Sequence, residues 1–243
     1  MVKAGGPAAS IKSLASVQNC VIAAYSQGSA TYGFAALYIH KLGLTNCQLE
    51  QLPDFTSQLA GLLDGSITAV VGNPTVVISP TAASQVKILI DTANAANFTR
   101  YVGPTPEPDV GFWGLKSVLT QKRVAVVRFL EGLEQARAFM LSHKPSQIFP
   151  LLEKYTLFSA IPRAQLLGQI ALFNQEIPLG NTEGVVSRAE WDSDLSLFSY
   201  FGLPSFNTTE PQLAYSKIMD MSYLQQALAA SSSTSSPSKK KKG

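Results

Sequence analysis

The sequence predicts an α/β fold in which one lobe, built of βαβ units around a parallel sheet, precedes a mainly helical C-terminal part. Short apolar runs alternate with helical patterns between residues 18 and 105. Three prolines between positions 104 and 108 then exclude a regular helix. Beyond Thr120, most segments show the helical spacing of apolar residues. The predicted divisions are an N-terminal segment (1–17), the α/β lobe (18–105), a crossover strand with C-terminal helices (106–229) and a disordered Ser/Lys tail (230–243).

The individual elements follow from apolar runs and from residues that start or stop helices. A helix is predicted to begin at Ser29 or Thr31 and to end at Gly43. A second helix begins after Asp54, an N-cap candidate, and stops at Gly65. The buried face of the first helix is predicted to contain Tyr32, Ala35, Ala36, Ile39 and Leu42. Strands are predicted at 19–25, 47–53, 66–74, 86–92 and 110–115.

Composition and charge limit the classes of function. The chain has 243 residues, of which 46% are hydrophobic and 14% charged, as in ordinary globular proteins with a substantial core. Subtracting the four lysines at 239–242 from the net charge of +3 leaves about −1 for the rest of the chain. A nucleic-acid-binding surface needs a basic face, so we do not expect a nucleic acid as partner.

The apolar segments do not predict a membrane protein. No uninterrupted apolar stretch reaches the roughly 18 residues that a membrane span requires, so no membrane insertion is expected. The opening residues "MVKAGGPAASIKSLAS" lack the continuous apolar region of a secretory signal. Phe112 and Trp113, after the proline-rich crossing, are expected in the core rather than at a ligand platform.

The cysteines and histidines are too few for a metal centre. Cys20 and Cys47 cannot form a disulfide framework, and by themselves they cannot form a structural zinc site. Cys20 lies in an apolar run and is expected to be a buried small hydrophobe. His40 and His143 are far apart, and each falls near a helix end where solvation is expected. No metal site is therefore predicted.

The turn Gly28-Ser29-Ala30-Thr31 between the first long strand and its helix fails three catalytic patterns. A phosphate-binding loop needs Lys before Ser or Thr, and that place holds Thr31 followed by Tyr32. The dinucleotide fingerprint needs three glycines, and only Gly28 and Gly33 are present. A nucleophile elbow needs one residue between its first glycine and the serine, whereas Ser29 directly follows Gly28. No catalytic residue and no cofactor are predicted.

The same turn has the features of a binding site. A strand, a small-residue turn and a helix together present backbone N–H groups at the positive end of a helix dipole, which suits an anionic group. The hydroxyls of Ser29 and Thr31 would add donors, and the small residues let a ligand approach the backbone. The alternative is that Gly-Ser-Ala-Thr only caps the helix.

Several motifs, in order, resemble the second lobe of the sulfonate, taurine and nitrate solute-binding proteins. These proteins belong to the periplasmic-binding-protein type 2 group, which includes the thiamine-pyrimidine precursor binders. The motifs are "SIKSL" at 10–14, the Gly28-Ser29 turn, "LGL" at 42–44 and the block from Leu62 to Pro74. Downstream, "RFLEGLEQARAFM" and "MDMSYLQQA" resemble the helix that returns to the first lobe and the closing helix. The resemblance covers about residues 10 to 228.

This resemblance implies a non-enzymatic two-lobed receptor that closes on a small, usually anionic solute and passes it to an ABC permease. It places the receptor in the periplasm or outside the cell, and otherwise we expect a cytoplasmic protein. The ligand-binding turn carries over to Gly28, Ser29, Ala30 and Thr31, and Asn73 is expected near the edge of the cleft. Members of the group begin with strand–helix units that precede "SIKSL", so the first lobe is expected to be incomplete here. The C-terminal helices would then leave apolar faces uncovered.

Some residues depart from the pattern of the group, and other functions stay open. Thr68 stands where the group has Asp, and Gly72-Asn73 replaces an acidic residue before Pro74, so the ligand is expected to differ. One alternative is an enzyme on the same fold, of the pyrimidine-precursor synthase or chorismate-dehydratase type. The synthase needs a cysteine-rich motif and a reactive histidine, and neither cysteine adjoins a histidine here. The other alternative is a degenerate interaction module without a role in transport.

Overall fold

The computed structural model describes residues 1–72, 80–105, 111–176, 184–202 and 209–234 of the chain. The strands in these ranges are β1 (Val2–Lys3), β2 (Cys20–Ala24), β3 (Cys47–Gln51), β4 (Ala69–Val70) and β5 (Val86–Lys87). The first helices are α1 (Ile11–Leu14), α2 (Ala30–Lys41), α3 (Phe55–Asp64), α4 (Pro80–Ala83) and α5 (Ala95–Tyr101). They are followed by α6 (Lys116–Gln121), α7 (Arg123–Ser142), α8 (Pro145–Leu152), α9 (Thr156–Ser159), α10 (Arg163–Glu176), α11 (Arg188–Phe198), α12 (Tyr215–Ile218) and α13 (Ser222–Thr234), with a 3-10 helix at Pro211–Leu213.

The five strands form one mixed sheet in the order β3-β2-β4-β1-β5. β2 runs parallel to β3 and β4, whereas β1 runs antiparallel to β4 and β5. The α/β class predicted from the sequence is confirmed, but the sheet is not parallel throughout. The antiparallel strand comes from the N-terminal segment, where Val2 is fully buried and pairs with Ala69 and Lys87. A strand of two residues is too short to show periodicity in the sequence.

The alternation of side chains along β2 places helices on both faces of the sheet. Cys20, Ile22 and Ala24 point to one face, where they form a cluster with residues of α1 and α2. On the other face, Ala23 belongs to a second cluster that contains Leu62 of α3, and Val21 packs against this cluster. α2 and α3 therefore cover opposite faces of the sheet.

The helix ends lie where capping residues predict them. The Ser29 hydroxyl accepts a hydrogen bond from the N–H of Tyr32 at the start of α2, and Gly43 takes a positive φ of 62° after its end. Asp54 accepts from the N–H of Ser57 at the start of α3, and Gly65 follows that helix with a φ of 91°. Both predicted helices are confirmed, because caps are local features of the sequence.

Four predictions about strands, core residues and the C-terminal segment differ from the structure. β4 and β5 are shorter than predicted, although residues 73 and 74 lie outside the described residues. No strand forms at 111–115, and position 110 lies outside the described residues. Phe112 and Trp113 are 69% and 80% exposed there, so their prediction as core residues is wrong. α13 extends to Thr234, which lies within the segment predicted as a disordered tail.

Cys20 and Cys47 form a disulfide. They lie opposite each other where β2 pairs with β3. Cys20 is buried, as predicted, but it is bonded rather than a simple small hydrophobe. The bond depends on the register between two strands that are distant in sequence, which the spacing of two cysteines does not reveal.

The C-terminal helices pack in pairs. α7 packs against α13 around Val127, Tyr223 and Ala227. α8 packs against α10 around Ile148 and Leu166.

Large apolar side chains of this region face solvent, as expected for helices with uncovered faces: Leu115, Val124 and Leu157 are 74%, 71% and 78% exposed. Across the described ranges, every helix is too short or too polar to cross a bilayer.

Candidate functional site

The candidate site lies where the chain leaves the carboxyl end of β2. β2 is flanked by β3 on one side and β4 on the other. The chain passes from β2 through α2 to β3, and then through α3 on the opposite face to β4. Adjacent strands whose connections leave in opposite directions create a crevice at their carboxyl ends, and ligands of open α/β sheets bind there. The turn at 26–29 borders this crevice.

Hydrogen bonds from two distant segments hold the turn. Gly28 has a φ of 88°, which favours glycine, and its N–H donates to the carbonyl of Phe201 at 2.9 Å. The N–H of Gln27 donates to the side-chain oxygen of Gln51 at the end of β3, at 2.9 Å. The side-chain amide of Gln27 also donates to the carbonyl of Gly202. The turn is therefore anchored to the sheet and to the segment that follows α11.

The hydroxyl of Ser29 caps α2, and the hydroxyl of Thr31 links that helix to β2. The Ser29 hydroxyl accepts from the N–H of Tyr32 at 3.2 Å. The Thr31 hydroxyl accepts from the N–H of Tyr25 at 3.2 Å, which ties the end of β2 to the start of α2. The two hydroxyl oxygens lie 3.3 Å apart, so one can donate to the other and the second retains a proton to donate outward.

Two backbone donors at the start of α2 have no partner within the described ranges. The N–H groups of Ala30 and Thr31 find no acceptor among the described residues. They belong to the first turn of a helix, where N–H groups have no intrahelical partner and the dipole is positive. With one hydroxyl, they form a set of donors that fits an acceptor oxygen.

The charges near the turn are unfavourable for a highly charged anion. Within the described part of the chain, no Lys or Arg side chain donates a hydrogen bond to residues 26–31. The pKa of Tyr25 is raised by burial and, to a lesser extent, by the negative charge of Asp54. A carboxylate therefore lies close to the end of β2.

A close contact between α2 and the segment after α11 positions the turn. A Cβ atom added at Gly33 would lie 2.1 Å from Cδ1 of Phe201, so the ring packs directly on the helix backbone. Phe201 is 6% exposed and stacks edge-on against Phe198 at 4.7 Å. Gly33, Phe201 and Gly202 are not predicted from the sequence as site residues. The one local signal in the sequence is a glycine within a predicted helix. Glycine there costs about 1 kcal/mol relative to Ala, which indicates that a close contact requires it.

A cavity of about 610 Å³ lies beneath α2, and we call it the α2 cavity. Ala30, Thr31 and Gly72 line its end near the turn. Its walls come from α1, α2, the sheet and the segment from Ile88 to Thr99. The turn and the cavity are thus adjacent, because Ala30 and Thr31 belong to both.

The structure brings together four of the five predicted site residues. Gly28, Ser29, Ala30 and Thr31 form one turn, in which Gly28 supplies the bend, Ser29 the cap, and Ala30 and Thr31 the unpartnered N–H groups. Asn73, the fifth, lies outside the described residues.

The two histidines, which were considered as candidates from the sequence, lie against aromatic side chains. His40 lies near Tyr200, with 3.4 Å between its Nδ1 and the phenol oxygen. His143 stacks on Phe139 at 3.8 Å and lies within hydrogen-bond distance of that residue's carbonyl. Among the described residues, no group of three His, Cys, Asp or Glu side chains is arranged to hold a metal ion.

Comparison with known proteins identifies a shared fold. A scan against models of protein families finds no match, and a search of curated proteins finds none. A solved protein structure from Bordetella bronchiseptica RB50 is similar, with a TM-score of 0.61 and 16% sequence identity. The match covers 89% of this chain and 66% of that chain. This chain therefore spans 66% of the length of its structural relative, and at this identity the likeness shows the α/β fold alone.

Proposed function

We propose that this chain is a non-enzymatic solute-binding protein of the periplasmic-binding-protein type 2 kind, associated with an ABC transporter. The observation that carries the proposal is the pair of unpartnered N–H groups of Ala30 and Thr31, at a helix N-terminus beside the crevice of the sheet. In this function the turn from Gly28 to Thr31 binds the head group of a small solute. The sequence resemblance supplies the transport role.

The charges near the turn narrow the class of solute. A helix dipole is equivalent to about half an elementary charge, so it balances a monoanion better than a dianion. The carboxylate of Asp54 near the end of β2 opposes additional negative charge. The proposed solute is a small monoanion, such as a sulfonate or nitrate, rather than a phosphate.

Two further features support a two-lobed receptor outside the cytosol: the first concerns its compartment and the second concerns its second lobe. Disulfides such as Cys20–Cys47 persist in oxidising compartments, which supports a periplasmic or extracellular location. The exposed apolar side chains of the C-terminal helices, including Val124 and Leu157, support the packing of further polypeptide against this region. A second lobe in that position would close on the solute.

A backbone substitution tests the proposal directly. Ala30→Pro removes one of the two N–H groups at the first position of α2, where helices tolerate proline. Ser29 has φ −84° and ψ 154°, which suits a residue before proline. We expect wild-type protein to bind a monoanion from a panel of nitrate, methanesulfonate, ethanesulfonate and bicarbonate in isothermal titration. Ala30→Pro should weaken that binding about tenfold to hundredfold, since a hydrogen bond to a charged group is lost.

Arg188→Pro is the matched control, because it makes the same backbone change at the first position of α11. Ser187 also has an extended conformation there, with φ −79° and ψ 164°. Titration at about 0.15 M salt screens the loss of the arginine charge. Wild-type affinity in Arg188→Pro together with weakened binding in Ala30→Pro supports the proposal. Equal affinities in both variants, or no binding of any monoanion by the wild type, refute it.

A further inference from the structure

We propose that the α2 cavity is a second binding site, which takes a medium-chain aliphatic molecule with an uncharged or cationic polar end, such as an alcohol or a primary amine. This inference goes beyond the proposed function, because its ligand is apolar and occupies the space beneath α2. The monoanion of the proposed function would contact the turn at the end of that helix.

The size and the walls of the cavity fit such a ligand. A volume of about 610 Å³ lies within the usual range of small-molecule sites, about 300–1,000 Å³. The half-buried apolar side chains of Ile11, Phe34, Leu42 and Leu89 line the cavity. Much of the wall therefore consists of apolar side chains.

The polar side chains of the cavity come from Thr31 and Tyr38 of α2 and from the segment between Asp91 and Thr99. Within the described part of the chain, the lining includes no Lys or Arg. Asp91 contributes a carboxylate and is exposed to solvent, with Thr92 and Thr99 nearby. Its Oδ1 accepts from the N–H of Ala93 at 3.1 Å, and the described residues supply no donor to its Oδ2.

At the side of the cavity where Asp91 lies, the described lining residues offer a ligand carboxylate no positively charged partner, whereas a hydroxyl or an ammonium could donate to Asp91.

A homologous series tests the aliphatic part of the proposal. We expect 1-butanol, 1-hexanol and 1-octanol to bind with affinities that rise about fifteenfold for each two-carbon step, because each buried methylene contributes about fourfold. Isothermal titration measures the affinities, and the methyl NMR signals of Ile22 and Leu44 report the place of binding. No saturable binding of 1-octanol, or equal affinity along the series, would overturn the proposal.

The polar end is tested with molecules of equal chain length. Octylamine should bind at least tenfold more tightly than octanoate, because Asp91 attracts the ammonium and repels the carboxylate. Asp91→Asn keeps an oxygen that accepts from Ala93 and removes the charge, so it should abolish this preference. An unchanged preference in Asp91→Asn, or tighter binding of octanoate by the wild type, would overturn the assignment of the polar end.

A pair of substitutions on α2 tests the location. Ala30→Leu should fill the end of the cavity near the turn and weaken binding of 1-octanol at least tenfold. Ala36→Leu places the same side chain at a half-buried position that does not line the cavity, and it should bind 1-octanol as the wild type does. If both variants weaken the binding of 1-octanol equally, or if neither weakens it, the ligand binds elsewhere. Binding of 1-octanol by the wild type without binding of any monoanion, or the reverse, distinguishes failure of the proposed function from failure of this inference.

Discussion

Replacing Gly33 with alanine should destabilise the protein, although the same change stabilises most helices. An added Cβ at Gly33 would lie 2.1 Å and 2.2 Å from two ring atoms of Phe201, whereas ordinary contacts begin near 3.4 Å. The ring would have to move away from α2 by more than an ångström. Because the carbonyl of Phe201 accepts from the N–H of Gly28, this movement would also disturb the turn.

The expected magnitude combines two opposing effects. Alanine in place of glycine in a helix interior contributes about 1 kcal/mol of stability. Overpacking of a well-filled contact costs about 1–3 kcal/mol. Gly33→Ala should therefore lower the free energy of unfolding by up to about 2 kcal/mol, measured by urea denaturation.

Gly132→Ala is the control for helix propensity. Gly132 lies inside α7, and a Cβ there would meet no atom within 4 Å. We expect this variant to gain about 1 kcal/mol, so the two glycine variants should differ by about 1–3 kcal/mol. In a Phe201→Ala background, Gly33→Ala should become stabilising, because the obstructing ring is gone. Equal stability of the two glycine variants would refute the close packing of α2 against the segment after α11.

Further predictions concern stability and the exposed surface. Reduction of the Cys20–Cys47 disulfide, whose cysteines are 27 residues apart, should lower the free energy of unfolding by about 3.5 kcal/mol; equal urea midpoints with and without reductant would contradict this. Hydrogen bonds from Ser57 lower the pKa of Asp54, so its charge stabilises the fold above the unfolded pKa of about 3.9 and that stability is lost as pH falls through the lower folded pKa. Asp54→Asn, which keeps a good cap, should lower the urea midpoint at pH 7 but not at pH 2; an equal loss at both would exclude the charge as the cause. Trp113→Ser should change stability by less than about 0.5 kcal/mol and reduce the binding of an apolar fluorescent dye; undiminished dye binding would place the apolar surface elsewhere.

Elements specified by neighbouring residues could be predicted from the sequence. The strand β2, the helices α2 and α3 and their caps at Ser29 and Asp54 follow from local apolar runs and capping side chains. The four residues of the candidate turn are contiguous, so one pattern locates them all. Their hydrogen-bonding roles, including the cap at Ser29, agree with side-chain chemistry.

Features that depend on distant partners could not be predicted. β1 contains two residues, and its antiparallel pairing is set by β4 and β5. The disulfide depends on strand register, and the anchoring of the turn by Phe201 and Gly202 joins positions more than 170 residues apart. The apolar run at 110–115 predicts a strand, yet a strand requires a neighbour, and none is found for residues 111–115 within the described ranges. The α2 cavity likewise arises only when the sheet, α1, α2 and α5 are assembled.

The central claim is that the start of α2 binds a monoanion through its backbone. Titration of ¹⁵N-labelled protein with nitrate, methanesulfonate and bicarbonate, followed by amide NMR, tests it most directly. The account predicts that one of these anions shifts the amide signals of Ala30 and Thr31 in a saturable manner, and that Ala30→Pro weakens the response at Thr31. Saturable shifts confined to other residues, or no saturable shift with any of the anions, would contradict it.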